Sequence, residues 1–400
     1  MEVFFREWER RVPGETRDIA RARALADVLG VLEPGVPVLT VVGSKGKGTA
    51  ATYASAFLAA AGLRVCTVTS PALRTNRDRI RMDGRAVSDA ELASLADALD
   101  AGIAALPPPA RGYLSPSGLF MLAGVLHARR RGADAIVLEA GMGGRSDEAA
   151  LFPPDVAAIT PIFLEHAGVL GDTPAEIAEE KLGVAGPDTL VLSAPQSAEV
   201  AGVLGPVERV DEGGGGVPGD LLPAGLGRVS AELGVAAARR LPGVDEPSPR
   251  ALWDTLASVV LPGRSSQHDV PGSATRVLVD AAIDRTGVAA ALAAARRAWG
   301  TIDHVVLCLP DHKDLAGAAA ELGDLPVTFV RLPLRHLGFT RALPPGWDVV
   351  GAEAVTPEAL ATLGHRVLVL GTGYFTGLVL DAVNADTERL FTSAASPRRS

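Results

Sequence analysis

Gly43-Ser44-Lys45-Gly46-Lys47-Gly48-Thr49 stands between an apolar β-rich run, Val38 to Val42, and a helix-like run, Thr49 to Ala61. Backbone N–H groups of such a turn, aided by the helix N-terminus, can wrap a polyphosphate, while a lysine reaches its outer phosphates and a hydroxyl holds Mg²⁺. The turn departs from the strict phosphate-loop pattern, because Gly48 separates Lys47 from Thr49. A flexible strand-to-helix turn is the alternative reading. Composition weighs against it: of 38 basic residues only four are Lys, at 45, 47, 181 and 313, and two of these lie in the turn.

Outward from the turn, Gly62 is placed to end the helix, and Arg64 to Val68 reads as a second strand running into Thr69-Ser70-Pro71. Helices are expected at Asp89 to Ala105 and Ser117 to Arg131, then a buried strand at Ala135 to Leu138. Strands alternating with helical crossovers predict a mostly parallel sheet with ligands at the carboxyl ends of its strands. The glycine-rich run Asp211 to Gly219 reads as an exposed loop, as does Leu261 to Gly272, and the second break is the better domain boundary. Beyond it the alternation restarts, with strands at Arg276 to Val279, His304 to Leu309, Val327 to Val330 and Arg366 to Leu370, and helices at Val288 to Trp299 and Leu315 to Leu322. The expected fold class is therefore α/β, with two domains facing each other across a cleft: an N-terminal phosphate-loop domain over 1–265 and a smaller Rossmann-like domain over 266–400.

A chain of 400 residues that is 48% hydrophobic can build both cores, and its Gly and Pro follow no triplet period, so collagen and wholesale disorder are excluded. A net charge of -9 argues against a nucleic-acid partner. Cys66 and Cys308 lie far apart in apolar stretches, which gives neither a disulfide framework nor a thiolate metal site. The charged N-terminus and the lack of a long apolar run lead to the expectation of a cytoplasmic protein with no membrane partner.

Two further strand ends carry polar groups. Leu138-Glu139-Ala140-Gly141-Met142-Gly143-Gly144-Arg145 delivers a carboxylate just before glycines that let a ligand approach, an oxygen that a hard cation wants. Ile159-Thr160-Pro161-Ile162-Phe163-Leu164-Glu165-His166 repeats the arrangement, although a lone His there is more often structural than a ligand.

Taken together, these segments resemble the folylpolyglutamate synthase and dihydrofolate synthase branch of the Mur ligase superfamily, over about Val38 to Gly377. Gly43 to Thr49 looks like that family's phosphate loop, and Thr69-Ser70-Pro71 with Arg79-Ile80-Arg81 looks like its following loop. Glu139 to Arg145, His166, Leu170 to Thr173, Ile177-Ala178 and Glu180-Lys181 resemble the rest of its ATPase domain. Pro262-Gly263-Arg264, Asp280, Lys313-Asp314 and Gly371-Thr372 resemble its interdomain and C-terminal motifs.

The resemblance implies an ATP-dependent ligase that activates a carboxylate as an acyl phosphate for attack by an amine, with ATP and Mg²⁺ as cofactors. Gly43, Ser44, Lys45, Gly46, Lys47, Gly48, Thr49, Arg264 and Asp280 would bind the nucleotide. Thr49, Ser70, Glu139 and His166 match metal positions, and Lys47, Lys181 and His166 match catalytic ones. Lys181 matches a lysine that carries a CO₂ adduct in many members. The partners implied are a small carboxylic acid and an amine or amino acid, and a monomer is expected, with a dimer as the alternative.

Departures from the family cluster. Lys45 stands where the family has Asn, Ala72 where it has His, and Asp147-Glu148-Ala149-Ala150 where it has Asp-Ala-Thr-Asn. Gly227 to Ala231 replaces an adenine-reading segment, and Asp280-Ala281-Ala282-Ile283-Asp284-Arg285 replaces Asp-Gly-Ala-His-Asn-Pro, losing a histidine associated with incoming glutamate. A site that loses its polar partners discriminates against its old ligand. These changes lead to the expectation of a specialised paralogue acting on a non-folate acid, with a true folylpolyglutamate or dihydrofolate synthase as one alternative and an inactive nucleotide-binding descendant as another.

Overall fold

The computed structural model describes residues 1–393 apart from 13, 110, 167, 226, 335 and 336, so the expected end of the second domain, 394–400, lies outside the described residues. Strands β1 (Val38–Val42), β2 (Val65–Val68), β3 (Ile80–Met82), β4 (Arg85–Ala86), β5 (Ala135–Glu139), β6 (Val156–Ile159), β7 (Leu190–Ser193) and β8 (Glu208–Arg209) form the first sheet. Their order is β4-β3-β2-β5-β1-β6-β7-β8. Pairing is parallel from β2 to β8 and antiparallel where β3 folds back on β2 and β4 on β3.

Because successive strand side chains point to opposite faces, β1 feeds two cores. Val38 and Val42 pack on the side of the helices Asp89–Ala104 and Pro116–Arg131. Leu39 and Val41 pack on the side of the helices Lys47–Ala60 and Gly227–Arg239. Those last two helices approach closely: a Cβ on Gly234 would collide with the Ala50 carbonyl, so only glycine fits there. At the end of Lys47–Ala60, Gly62 adopts φ +85° and its N–H bonds the Ala59 carbonyl at 3.0 Å, the stop its position predicts.

The second sheet comprises β9 (Ser266–Asp269), β10 (Arg276–Asp280), β11 (His304–Cys308), β12 (Val327–Arg331), β13 (Asp348–Gly351) and β14 (Arg366–Gly371), in the order β13-β12-β11-β14-β10-β9. It too is parallel except for its edge, where β9 runs antiparallel to β10. That edge corrects an expectation. Leu261 to Gly272, read as loop throughout, contains β9, whose Ser-Gln-His-Asp sequence lacks apolar alternation and is held at a half-exposed edge by backbone pairing with β10, by Trp299 Nε1 donating to Gln267 at 2.9 Å and by Arg276 pairing with Asp269 at 3.1 Å. The helix expected from Val288 begins at Arg285, because the Asp284 side chain caps it by accepting from Gly287 N at 2.8 Å. Cys66 and Cys308 are buried in separate sheets and unpaired. Among the described residues no helix is long and apolar enough to cross a membrane.

Candidate active site

The Gly43 to Thr49 turn sits at the carboxyl end of β1, between β5 and β6. Gly43 has φ +136° and lies so close to Thr160, just past β6, that a side chain would collide with it. Gly46 adopts φ +88° at the N-cap of Lys47–Ala60 with no side-chain cap, which leaves the first N–H groups of the helix facing the turn. Space there is closed on both sides: a Cβ at Gly46 would strike the Ser230 hydroxyl, and one at Gly48 would strike the Arg264 guanidinium. The Gly227 to Ala231 segment, whose sequence departs from the family, thus lies against the Gly43 to Thr49 turn through Ser230.

Lys47 Nζ donates to the Gly43 carbonyl at 2.9 Å, and Lys181 Nζ, from the helix Pro174–Leu182, donates to the same oxygen at 2.9 Å. Lys181 is 1% exposed and ion-paired with Glu165 at 2.9 Å. Burial and the nearby Lys47 lower the Lys181 pKa, against the pull of Glu165. Burial alone would raise Glu165, yet Lys181 and Lys47 hold its carboxyl below the usual range, so it is ionised.

Lys313 reaches this group from the second sheet's side. Burial lowers its pKa, and Glu165, Lys45 and Asp284 are the charges that bear on it. Lys45 Nζ crosses to Asp284 Oδ2 at 2.5 Å. His166, at φ +49°, has its pKa lowered by burial first and then by Lys313, Lys181 and Lys47, which together outweigh Glu165. All four lysines of the chain therefore lie close enough to Glu165, His166 or one another for their charges to interact.

Glu139 ends β5 beside Val41 and is 4% exposed. Among the described residues its hydrogen-bond donor is Ser70 N, at 3.1 Å, and Arg79 donates in turn to the Ser70 hydroxyl at 3.2 Å. Burial raises the Glu139 pKa, opposed by Lys47, Arg264, the Ser70 N–H and Arg79. Asp280, at the end of β10, accepts from Ser265 N and Oγ, both at 2.8 Å, and burial raises its pKa. Lys47, Gly48, Glu139, Ser70 and Arg264 are thus brought together. No cluster of three or more His, Cys, Asp or Glu side chains placed to hold a metal occurs among the described residues, so Glu139 and His166 do not form a preassembled cage.

Sequence reasoning missed Glu165, although it adjoins His166 at a strand end, and missed Asp284 as the partner of Lys45. It also missed a buried acidic pair. Glu148 Oε1 accepts from Ser115 Oγ at 2.6 Å, while Arg17 donates to Asp147 at 2.8 Å and to Glu148 at 3.3 Å. Burial, then Asp147, pushes the Glu148 carboxyl up to about 7. The folded protein therefore keeps a proton that the unfolded chain releases at an ordinary carboxylate pKa. The stability this proton confers is complete at acid pH and is lost as pH rises through about 7. Thermal scans should show Tm falling by a few degrees between pH 5 and pH 8, by about the amount a shifted carboxyl supplies, and Glu148→Gln should flatten that decline. An unchanged slope in the variant would assign the decline to other groups.

No family model matches the chain. It is 29% identical over 406 residues to the dihydrofolate synthase/folylpolyglutamate synthase of Escherichia coli, spanning 92% of this chain and 91% of that protein. The Mycobacterium tuberculosis protein of the same name is 29% identical over 96% of this chain and 85% of its own length. Against a probable bifunctional folylpolyglutamate synthase/dihydropteroate synthase of Haloferax volcanii identity reaches 37% over 169 residues, but the match spans 20% of that longer protein. Among solved structures, Mycobacterium tuberculosis folylpolyglutamate synthase complexed with ADP and AMPPCP superposes with a TM-score of 0.77, covering 96% of this chain and 99% of that one at 22% identity. Along most of its length the chain is similar to folylpolyglutamate/dihydrofolate synthases. Its two-sheet architecture is the folylpolyglutamate synthase fold, and the family is one of ATP-dependent ligases that form a carbon–nitrogen bond.

Proposed function

We propose that the chain joins a carboxylic acid to an amine at the expense of ATP, and that the pair it joins is glutamate and a folate-type acid. The observation that carries the ligase reading is the convergence of Lys47, Lys181 and the open helix N-terminus on one turn, with Glu139 buried beside them. This is a cradle for transferring phosphate charge. The folate reading is supported by relatives that bear that activity in their names along most of the chain. Those relatives favour it over the non-folate specialist that the altered motifs alone suggest.

In the reaction, a carboxylate oxygen attacks the γ-phosphorus and ADP leaves, giving an acyl phosphate. The amine nitrogen then attacks the acyl carbon, phosphate departs and the amine loses a proton. The Gly43 to Thr49 backbone and Lys47 bind and orient the phosphates, while Arg264 and Asp280 bring the second sheet to the nucleotide. Closure of the cleft excludes water from the acyl phosphate. Thr49, Ser70 and Glu139, with His166 neutral, are the residues that would hold Mg²⁺. Glu139 fits, since its buried carboxylate spends one hydrogen bond on Ser70 N and keeps an oxygen that a hard cation would take. The ion would neutralise charge on the transferred phosphoryl group. A carbamate on Lys181 fits less well, because its amine is already engaged by Gly43 and Glu165, and a second anion would press on Glu165.

A second reading, a different acid or amine, is favoured by the Lys45 to Asp284 ion pair, which fills the seam where the family sequence carries Asn and His-Asn. Small-molecule substrates and a cytoplasmic setting belong to either reading. The test is phosphate release and product mass with ATP, Mg²⁺, glutamate and dihydropteroate or tetrahydrofolate. Glutamylated product supports the first reading. Turnover only with other acids or amines supports the second, and none with any pair points to an inactive descendant.

A further inference from the structure

We infer that the C-terminal segment from Asp381 to Phe391 is a strap that positions the loop Ser70 to Arg81, with Asp78 as its junction. After the helix Gly373–Ala382 the chain leaves the second sheet and returns to the first, where Leu390 and Phe391 join the core. Its backbone pairs with the β3–β4 turn, through Ala86 N to the Glu388 carbonyl at 2.8 Å and Leu390 N to the Gly84 carbonyl at 2.9 Å.

Three loop arginines reach it. Arg81, 1% exposed, donates to the carbonyls of Thr387 at 2.8 Å and Glu388 at 3.1 Å as well as to Asp78 at 3.3 Å. Arg74 donates to Asp381 at 2.8 Å and to the Ala385 carbonyl, and Arg77 pairs with Glu388. The buried Asp78 carboxylate gathers both sides: it accepts from Arg74 N at 2.8 Å, from Thr75 N at 2.9 Å and from the Thr387 hydroxyl at 3.3 Å. The far end of the same loop supplies the Ser70 N–H to Glu139 and the Arg79 guanidinium to the Ser70 hydroxyl. The shape of the loop against Glu139 is therefore fixed from residues more than 300 positions away. Thr387, Arg81 and Asp78 are positioning residues, since none touches the phosphate turn.

Thr387→Val removes one hydroxyl from Asp78 and leaves the strap's backbone bonds in place, and Thr387→Ser restores the donor. In hydrogen exchange on the full chain, the amides of residues 72–80 should exchange about fivefold faster in the Val variant, the loss expected of one buried hydrogen bond, and return to wild-type rates in the Ser variant. The consequence for turnover rests on the ligase reading: KM for Mg·ATP should rise by a similar factor, about fivefold, with kcat within about twofold. Exchange needs no substrate, so failure of the ligase reading and failure of the strap can be told apart. Unchanged exchange over 72–80, or acceleration spread equally over the whole first sheet, would overturn the strap. Should the Val variant not fold, Arg74→Gln serves the same purpose, with the same amides read.

Discussion

Lys47→Met should lower kcat/KM for ATP-dependent phosphate release by about 10²- to 10³-fold, the loss typical of removing one preorganised group from a developing anion. Its Nζ donates to carbonyls of its own turn, Gly43 and Ser44, but it also opposes the burial of Glu139 and Glu165, so the unfolding midpoint should fall and the loss of rate is read at a temperature where the variant is fully folded. Lys47→Arg should not rescue it. The turn is closed around Gly46 and Gly48 by Ser230 and Arg264, and a planar guanidinium cannot take the place of a compact ammonium there. Phosphate release with calorimetric nucleotide binding is the measurement, and activity within tenfold of wild type in the Met variant would show that another group holds the phosphates.

The second large effect is on stability. Lys181→Met leaves the Glu165 carboxylate in a mostly buried site without its nearest cation and should cost about 3 kcal/mol, somewhat less than a fully sealed pair because Glu165 keeps some exposure and Lys47 remains nearby. Glu165→Gln in the same background should recover a large part of that loss, since the stranded charge is then gone. Chemical denaturation of the two single variants and the double variant measures the coupling. Additive losses would mean that the pair is not what holds Lys181 in place.

The Gly43 to Thr49 turn was legible as a strand-to-helix turn because its signal is local: glycines, lysines and a hydroxyl between a strand and a helix. The central strands of both sheets were legible for a similar reason, since apolar runs separated by helical crossovers admit few topologies. The outer strands β3, β4, β7, β8, β9 and β13 were not, because they are short or lack an apolar face, as Ser266 to Asp269 does, and are defined by the strand they pair with. Glu165 and Asp284 were not, because a carboxylate declares its role only when the cation it meets is known, and those cations lie 16 and 239 positions away. The scarcity of lysine pointed to Lys45 and Lys313 without saying what they do. In three dimensions Lys45 ties the Gly43 to Thr49 turn to the cap of the helix Arg285–Trp299, and Lys313 adds positive charge beside Glu165.

The return of Leu390 and Phe391 to the first sheet also bears on how the protein is made. A nascent chain can form β1 to β8 as they emerge, but two apolar side chains of that core are still unsynthesised until residue 391. Until then the surface around Gly84, where Phe391 will seat, stays greasy and uncovered, a place for a chaperone or a neighbouring chain to stick. Expression of a fragment that stops short of the strap should therefore yield aggregate, even though every strand of its sheet is present.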